Sequence, residues 1–275
     1  MRVLFAMLAV LVLGAASGCG RGGSSGHGKV VASFYPLAWA AEQVQKRSTG
    51  DVVNLTPPGA EPHDVELSPR DVEAVLSARI VLYVGGGFQP VIDDAVSSRD
   101  GPSFDVRGGG EDPHVWLDPV RFARVVEAIA RALGRPDGAA STVRALRRID
   151  TEYRRGLARC DRRVIVTTHA SFGRLADRYG LEDIALTGRS PEGEPSPRDL
   201  ERIVQRIRAS DATTVFTEPL VSSRLAQTVA REAGIQVATL DPIEGLTQAR
   251  LDAGEDYRSV MRENLATLRQ ALGCR

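Results

Sequence analysis

Three of the four histidines in this 275-residue chain lie in loops that directly follow predicted strands. His63 lies in the loop after "DVVNLT", His114 lies in "DPHVWLDP" after a short strand around "SFDV", and His169 directly follows "VIVTT". Asp241 follows "QVATL", the last predicted strand. Parallel α/β sheets bind their ligands at the carboxyl ends of the strands. We therefore expect these four side chains to converge in one cleft.

The donor types in this set are those that zinc prefers. Three neutral imidazole nitrogens and one carboxylate oxygen complete a tetrahedral shell suited to Zn²⁺, whereas Mn²⁺ favours more oxygen ligands. The fourth histidine, His27, lies in the Gly/Ser-rich stretch "GRGGSSGHGK", where we expect no metal ligand. The residue types therefore predict a zinc site, to which manganese is less suited.

The elements that would position these residues occur twice along the chain. Predicted strands and helices alternate, and short motifs recur in the same order: "ASF" begins at 32 and 170, "LT" at 55 and 186, "EP" at 61 and 194, "SPRD" at 68 and 196, and "LDP" at 117 and 240. Repetition of whole units in one order indicates two similar lobes. Because strands alternate with helices, each lobe is predicted to hold a parallel sheet in an α/β fold.

A helical segment separates the two predicted lobes. Apolar residues recur at intervals of three and four residues, which is typical of one buried face of a helix: Val143, Leu146, Ile149, Tyr153 and Leu157. We expect a rigid linking helix over residues 137–159, with an N-terminal lobe over 29–136 and a C-terminal lobe over 160–275.

The first residues have the features of an export signal. An apolar run from Val3 to Leu13 follows Arg2 and is too short to span a membrane as a helix. The small residues that follow end in Cys19, as in a bacterial lipobox whose cysteine becomes acylated. We expect a lipoprotein signal peptide over 1–18, a flexible tether over 19–28, and an extracytoplasmic protein anchored to the cell membrane at Cys19. The alternative is an ordinary secretory peptide with Cys19 in its tail.

Charge and cysteine content restrict the remaining possibilities. Lys plus Arg and Asp plus Glu both number 35, so the chain has no basic excess and nothing favours a nucleic-acid partner. An exported protein can form a disulfide between its two later cysteines, Cys160 and Cys274. Two free buried thiols are the alternative.

Five separated motifs resemble those of the zinc/manganese solute-binding lipoproteins of ABC importers: "GAEPHDVELSPRDV", "DPHVWLDP", "THASFGRLADRYGL", "SPEGEPSPRDL" and "LDPIEGL". The resemblance implies two (β/α) lobes joined by a long backbone helix, with the metal in the cleft between them. It implies metal-ligand roles for His63, His114, His169 and Asp241. Manganese-carrying members usually have Glu at the position of His169, so the resemblance favours zinc. The implied partners are an ABC permease and, through it, a cytoplasmic ATPase, and we expect the protein itself to be a monomer.

Other residues near the predicted cleft are candidates for supporting roles. Glu61 could be a ligand, an acceptor for an imidazole or a solvated loop carboxylate. Glu194 and Glu218 are expected to hold imidazole N–H groups in place. Trp116 and Phe172 are expected to pack around the cleft and exclude water.

Other functions remain as alternatives. A manganese or iron receptor of the same family would use the same cleft. A zinc hydrolase would need one metal position open for water, with Glu61 or Glu194 beside it, and the chain has no His-Glu-x-x-His motif. A surface adhesin would need an exposed aromatic patch. The favoured hypothesis is a zinc receptor, not an enzyme.

Overall fold

The computed structural model of the chain describes residues 28–46, 52–108, 112–191 and 193–275. The predicted signal peptide, Cys19 and His27 lie outside these described residues. Within them the chain forms two four-stranded sheets, and every strand pair is parallel. The predicted α/β fold with two parallel lobes is therefore confirmed.

The two sheets have the same topology. The first contains, in the order β2-β1-β3-β4, strands β1 Val30–Ala32, β2 Val52–Asn54, β3 Ile80–Tyr83 and β4 Ser103–Asp105. The second contains, in the order β6-β5-β7-β8, strands β5 Val164–Thr167, β6 Glu182–Ala185, β7 Thr214–Thr217 and β8 Gln236–Thr239. Each lobe therefore starts with a central strand, adds the next strand on one side and then adds two on the other. The two lobes are similar, as the repeated motifs predict.

Helices and short 3₁₀ turns connect the strands. The helices are α1 Tyr35–Gln45, α2 Pro69–Ser77, α3 Pro90–Ser97, α4 Pro119–Ala132, α5 Ala140–Gly156, α6 Gly173–Tyr179, α7 Pro197–Ala209, α8 Arg224–Ala233, α9 Gln248–Asp252 and α10 Tyr257–Leu272. The 3₁₀ turns are Pro62–Asp64, Val115–Leu117 and Pro136–Ala139. The repeated "SPRD" motif starts α2 and α7 in the same way, because the hydroxyls of Ser68 and Ser196 accept the N–H groups of Asp71 and Asp199.

The linking segment differs from the single helix predicted over 137–159. Its α-helix, α5, begins at Ala140, because the preceding residues Pro136–Ala139 form a 3₁₀ turn. The predicted apolar face is buried, and α5 packs against both α4 and α10. One continuous hydrophobic core includes Leu82 of the first sheet, Ile149 of α5 and Phe216 of the second sheet. The two lobes therefore share a core through the linking helices.

Two further features concern the covalent structure and the membrane. A disulfide joins Cys160 to Cys274, with 3.8 Å between their Cα atoms, and it ties the end of the chain to the start of the second lobe. Across the described ranges, no helix has the length and apolar character needed to cross a lipid bilayer.

Candidate metal centre

Four side chains meet at the interface between the lobes: His63, His114, His169 and Glu244. One potential ligand atom from each lies within 4.8 Å of the others. The Oε1 atom of Glu244 is 3.3 Å from Nε2 of His114, 3.4 Å from Nε2 of His169 and 3.8 Å from Nε2 of His63. This spacing leaves room for a single ion among one oxygen and three nitrogens.

The carboxyl ends of the strands position the cluster. His63 lies in the 3₁₀ turn after β2, and its backbone N–H donates to Oε2 of Glu61 at 2.8 Å. His114 follows β4, His169 follows β5 and Glu244 follows β8. Each lobe therefore contributes two residues, all from the edge where α/β sheets bind ligands. The structure places the three histidines together, as the sequence analysis expects.

The facing atoms of the cluster are buried and lack hydrogen-bond partners. His114 and His169 are fully buried, and Glu244 is 3% exposed. Among the described residues, Nε2 of each of the three histidines and Oε1 of Glu244 have no partner of suitable hydrogen-bond geometry. Buried polar atoms without partners cost free energy. A cation at their centre would coordinate all four atoms, and three nitrogens with one carboxylate oxygen match the donor set of zinc.

Two carboxylates orient the imidazole rings from behind. Oδ1 of Asp112 lies 2.8 Å from Nδ1 of His114, and Oε1 of Glu218 lies 2.8 Å from Nδ1 of His169. A hydrogen on each Nδ1 leaves Nε2 free to bind a metal. Glu218 is expected in this role, whereas Asp112 is not, although the pattern "DPH" places its carboxylate two residues before His114.

Glu194 does not have the position expected for it. It is exposed, and within the part of the chain that the structure describes it makes no ion pair or hydrogen bond to the three histidines. The loop that carries it leads into the exposed first turn of α7. Glu61, by contrast, is close to the cluster, and its Oε2 atom accepts the N–H of His63.

The charged residues of the cluster shift one another's pKa values. Burial alone would raise the pKa of Glu244, but the three imidazoles hold the pKa of this carboxyl well below its usual range. Burial opposes a charge on His169, yet Glu218 and Glu244 raise its pKa to about 10. The pKa of His114 is raised in the same way by Asp112 and Glu244, against the effect of burial. Burial, followed by the nearby charge of Glu244, raises the pKa of Glu61 to about 8. The buried negative charges favour a cation at the centre.

Asp241, which was expected to be the fourth ligand, lies outside the cluster. Glu244 lies in its place beside the three histidines. The carboxylate of Asp241 has other partners: Oδ1 accepts the N–H of Ile243 at 2.7 Å, and Oδ2 lies 2.7 Å from Nη1 of Arg250. The motif "LDPIEGL" contains both acids, and Asp241, the predicted ligand, is the one nearer to the strand. Only the path of the loop shows which carboxylate faces the histidines.

Aromatic side chains surround the imidazoles. Trp116 and Phe172 are fully buried, in agreement with the packing role expected for them. The ring centroid of Trp116 lies 5.1 Å from that of His114, and the centroid of Phe88 lies 4.4 Å from that of His63. These rings exclude water from one side of the cluster.

Two parallel α/β lobes on a shared helical core, each contributing residues to one buried cluster, define the class of two-lobed solute-binding proteins. Within this class the family can be assigned directly. The chain belongs to the family described as "Zinc-uptake complex component A periplasmic", whose model matches residues 30–271.

Individual relatives agree with this assignment. The zinc-binding protein AdcA of Streptococcus pyogenes is 32% identical over 290 residues, which cover 90% of this chain and 56% of AdcA. The chain therefore spans about half the length of this relative. The high-affinity zinc uptake system protein ZnuA of Bacillus subtilis is 28% identical over 311 residues, covering 98% of this chain and 97% of ZnuA.

Solved structures show the same fold. The laminin-binding protein Lmb of Streptococcus agalactiae, described as a bifunctional protein with adhesin and metal transporting activity, aligns with a TM-score of 0.79. It has 29% sequence identity, and the alignment covers 89% of this chain and 99% of that one. The Zn(II)-bound ZnuA-like domain of Streptococcus pneumoniae AdcA aligns with a TM-score of 0.74 and 32% identity, covering 89% and 98% of the two chains.

Proposed function

We propose that this protein is an extracytoplasmic receptor that binds Zn²⁺ through His63, His114, His169 and Glu244 and delivers it to an ABC import permease. The observation that carries the proposal is the set of four buried, facing ligand atoms without hydrogen-bond partners. Relatives named for zinc binding and zinc uptake support zinc as the transported ion. A related domain of known structure is described as Zn(II)-bound.

The test is elemental analysis of protein purified without added metal, followed by competition titration of the demetallated protein with zinc and manganese. We expect one equivalent of zinc, a preference for zinc over manganese, and strong loss of zinc affinity in His114→Ala. Equal affinity for the two metals, or wild-type zinc binding by His114→Ala, would contradict the proposal.

The proposed partners are an ABC permease and its cytoplasmic ATPase, and the proposed location is the outer face of the cell membrane. A lipid anchor at Cys19 is supported by the lipobox-like sequence and by a relative from Streptococcus pneumoniae named zinc-binding lipoprotein AdcA. Cys19→Ser should release the protein from membranes or leave it unprocessed. Equal retention of this variant after removal of peripheral proteins would contradict the anchor.

The alternative functions have less support. The family is one of receptors for zinc uptake and not of enzymes, and all four donor positions of the cluster are supplied by side chains, whereas a hydrolase keeps one for water. The adhesin alternative requires an exposed aromatic patch. In the described ranges the exposed large apolar side chains are Leu76, Val91 and Val237, and none of them is aromatic.

A further inference from the structure

The residue that completes the cluster lies in a short segment without regular secondary structure. This segment, residues 240–246, follows β8 and is here called the ligand loop. All seven of its residues are buried. Buried irregular backbone needs specific partners for its polar groups, so the contacts of this loop determine where the Glu244 side chain lies.

The backbone of the ligand loop is strained one residue before Glu244. Ile243 has a φ of 57° and is fully buried. A β-branched residue rarely adopts this left-handed conformation, because its side chain clashes with its own backbone. Such a conformation persists only where surrounding contacts enforce it. The contacts of the ligand loop must therefore hold Ile243 in this conformation.

Within the second lobe, Asp241 supplies most of these contacts. Its Oδ1 atom accepts the N–H of Ile243 at 2.7 Å, and its Oδ2 atom pairs with Nη1 of Arg250 at 2.7 Å. The side-chain amide of Asn264 holds the backbone of Asp241 from both sides, accepting its N–H at 2.9 Å and donating to its carbonyl at 2.7 Å. Arg250 is itself held by the carboxylates of Glu255 and Glu263.

The first lobe holds the same loop at two further points. Nε1 of Trp116 donates to the carbonyl of Pro242 at 2.7 Å, and the backbone N–H of Gly59 donates to the carbonyl of Leu246 at 3.0 Å. Glu244 lies between these two points. The loop is therefore fixed on both sides of the residue that faces the histidines.

We propose that Asp241 and Arg250 are positioning residues, which hold the ligand loop so that the Glu244 carboxylate meets the three imidazoles before metal arrives. The inference rests on the proposed zinc site and adds a role for an acid that is not itself in the cluster. Asp241 fixes the turn at Ile243, and Arg250 fixes Asp241. Loss of either residue lets the loop relax and withdraws Glu244 from the metal position.

The experiment is a double-mutant cycle with zinc as the probe. Arg250→Met and Asp241→Asn are each made in the wild-type protein and in Glu244→Gln, and zinc affinity is measured by competition with a chelator. Arg206→Met is the matched control, because Arg206 also pairs with a carboxylate in the second lobe, that of Glu182, but on the exposed surface. The melting temperature of each metal-free variant shows whether it is folded.

We expect each positioning variant to weaken zinc binding at least tenfold in the wild-type background and less than twofold in Glu244→Gln. Arg206→Met should stay within twofold of wild type. Equal losses in both backgrounds would show a general effect on folding and overturn the inference, as would wild-type affinity in both positioning variants. A wild-type protein that binds no zinc would instead overturn the proposed function and this inference with it.

Discussion

Replacing Asp183 by asparagine should stabilise the metal-free protein, and the gain should depend on pH. Asp183 lies in β6, where burial raises the pKa of its carboxyl to about 6 from the usual 3.8, although a hydrogen bond from Thr167 and the charge of His169 act in the opposite direction. A carboxyl whose pKa is raised on folding is penalised whenever it is ionised. The penalty is complete at a pH above the folded value and disappears below the unfolded value.

The size of the effect follows from these two pKa values. Their difference, 6 − 3.8, is about 2.2 and corresponds to about 3 kcal/mol in the free energy of unfolding at 1.36 kcal/mol for each pKa unit. An asparagine side chain carries no charge, so we expect Asp183→Asn to gain up to about 3 kcal/mol at pH 8. Because folding stability depends on protons bound in each state, the gain should fall to about 1.6 kcal/mol at pH 5 and below about 1 kcal/mol at pH 4.

The local hydrogen bonds favour the amide as well. The Thr167 hydroxyl lies 2.6 Å from Oδ1 of Asp183 and 3.0 Å from the carbonyl of His169, but it has a single hydrogen to donate. An amide at position 183 can donate to the Thr167 oxygen, which leaves the hydroxyl hydrogen for the His169 carbonyl. The substitution therefore keeps the connection between β5 and β6.

The assay is urea denaturation of the metal-free protein, with a chelator present, at pH 8, 6.5, 5 and 4. The control is Asp211→Asn, which removes a carboxylate from an exposed position of the same lobe. The slope of unfolding free energy against urea should be unchanged, so the midpoint reports stability. A gain that is the same at every pH, or a loss at pH 8, would show that the buried charge of Asp183 does not destabilise the folded protein.

Three further outcomes are expected. Replacing Cys160 and Cys274 together by serine should lower stability by about 5 kcal/mol in the chain-entropy model for two cysteines 114 positions apart. A thiol assay on the unfolded, non-reduced wild type should find neither cysteine free. His169→Glu should shift preference from zinc toward manganese in a competition titration, because an oxygen replaces a nitrogen ligand; an unchanged ratio of the two affinities would argue against His169 as a ligand. Glu218→Gln should weaken zinc binding by about 10- to 100-fold, because the Glu218 carboxylate holds the Nδ1 side of His169. The control Glu194→Gln changes an exposed residue and should bind zinc like wild type. Equal affinities in these two variants would exclude a supporting role for Glu218.

Most elements of the fold could be predicted from local sequence patterns. A continuous apolar run such as "RIVLYV" is typical of a buried strand, and β3 takes up its central four residues, Ile80–Tyr83. The Ser-Pro-Arg-Asp motif is also typical of the start of a helix, since a cap depends only on residues within one turn, and α2 and α7 both begin at it. The three histidines could be predicted because each lies in the loop that follows a strand.

Glu244 could not be selected over Asp241 in the same way. The direction of its side chain depends on the φ of Ile243 and on Trp116 and Asn264, which contact the ligand loop from 126 and 23 positions away. No local pattern contains such contacts. The supporting role of Asp112 is easier to predict from the sequence. Its carboxylate lies two residues before His114 and accepts the backbone N–H of His114.

The hydrophobic core that runs through both lobes and the linking helices has a consequence for how this architecture can change over time. Two repeated halves that each kept a closed core could be separated, exchanged or recombined as independent units. Here residues of both sheets pack into one apolar cluster with Tyr153 of α5 and Tyr257 of α10. A cut between the halves would expose this cluster to water, and neither half could bury its own share alone. Each lobe also has a smaller apolar cluster of its own, so it is the shared cluster that the two repeated halves would lose if they were separated.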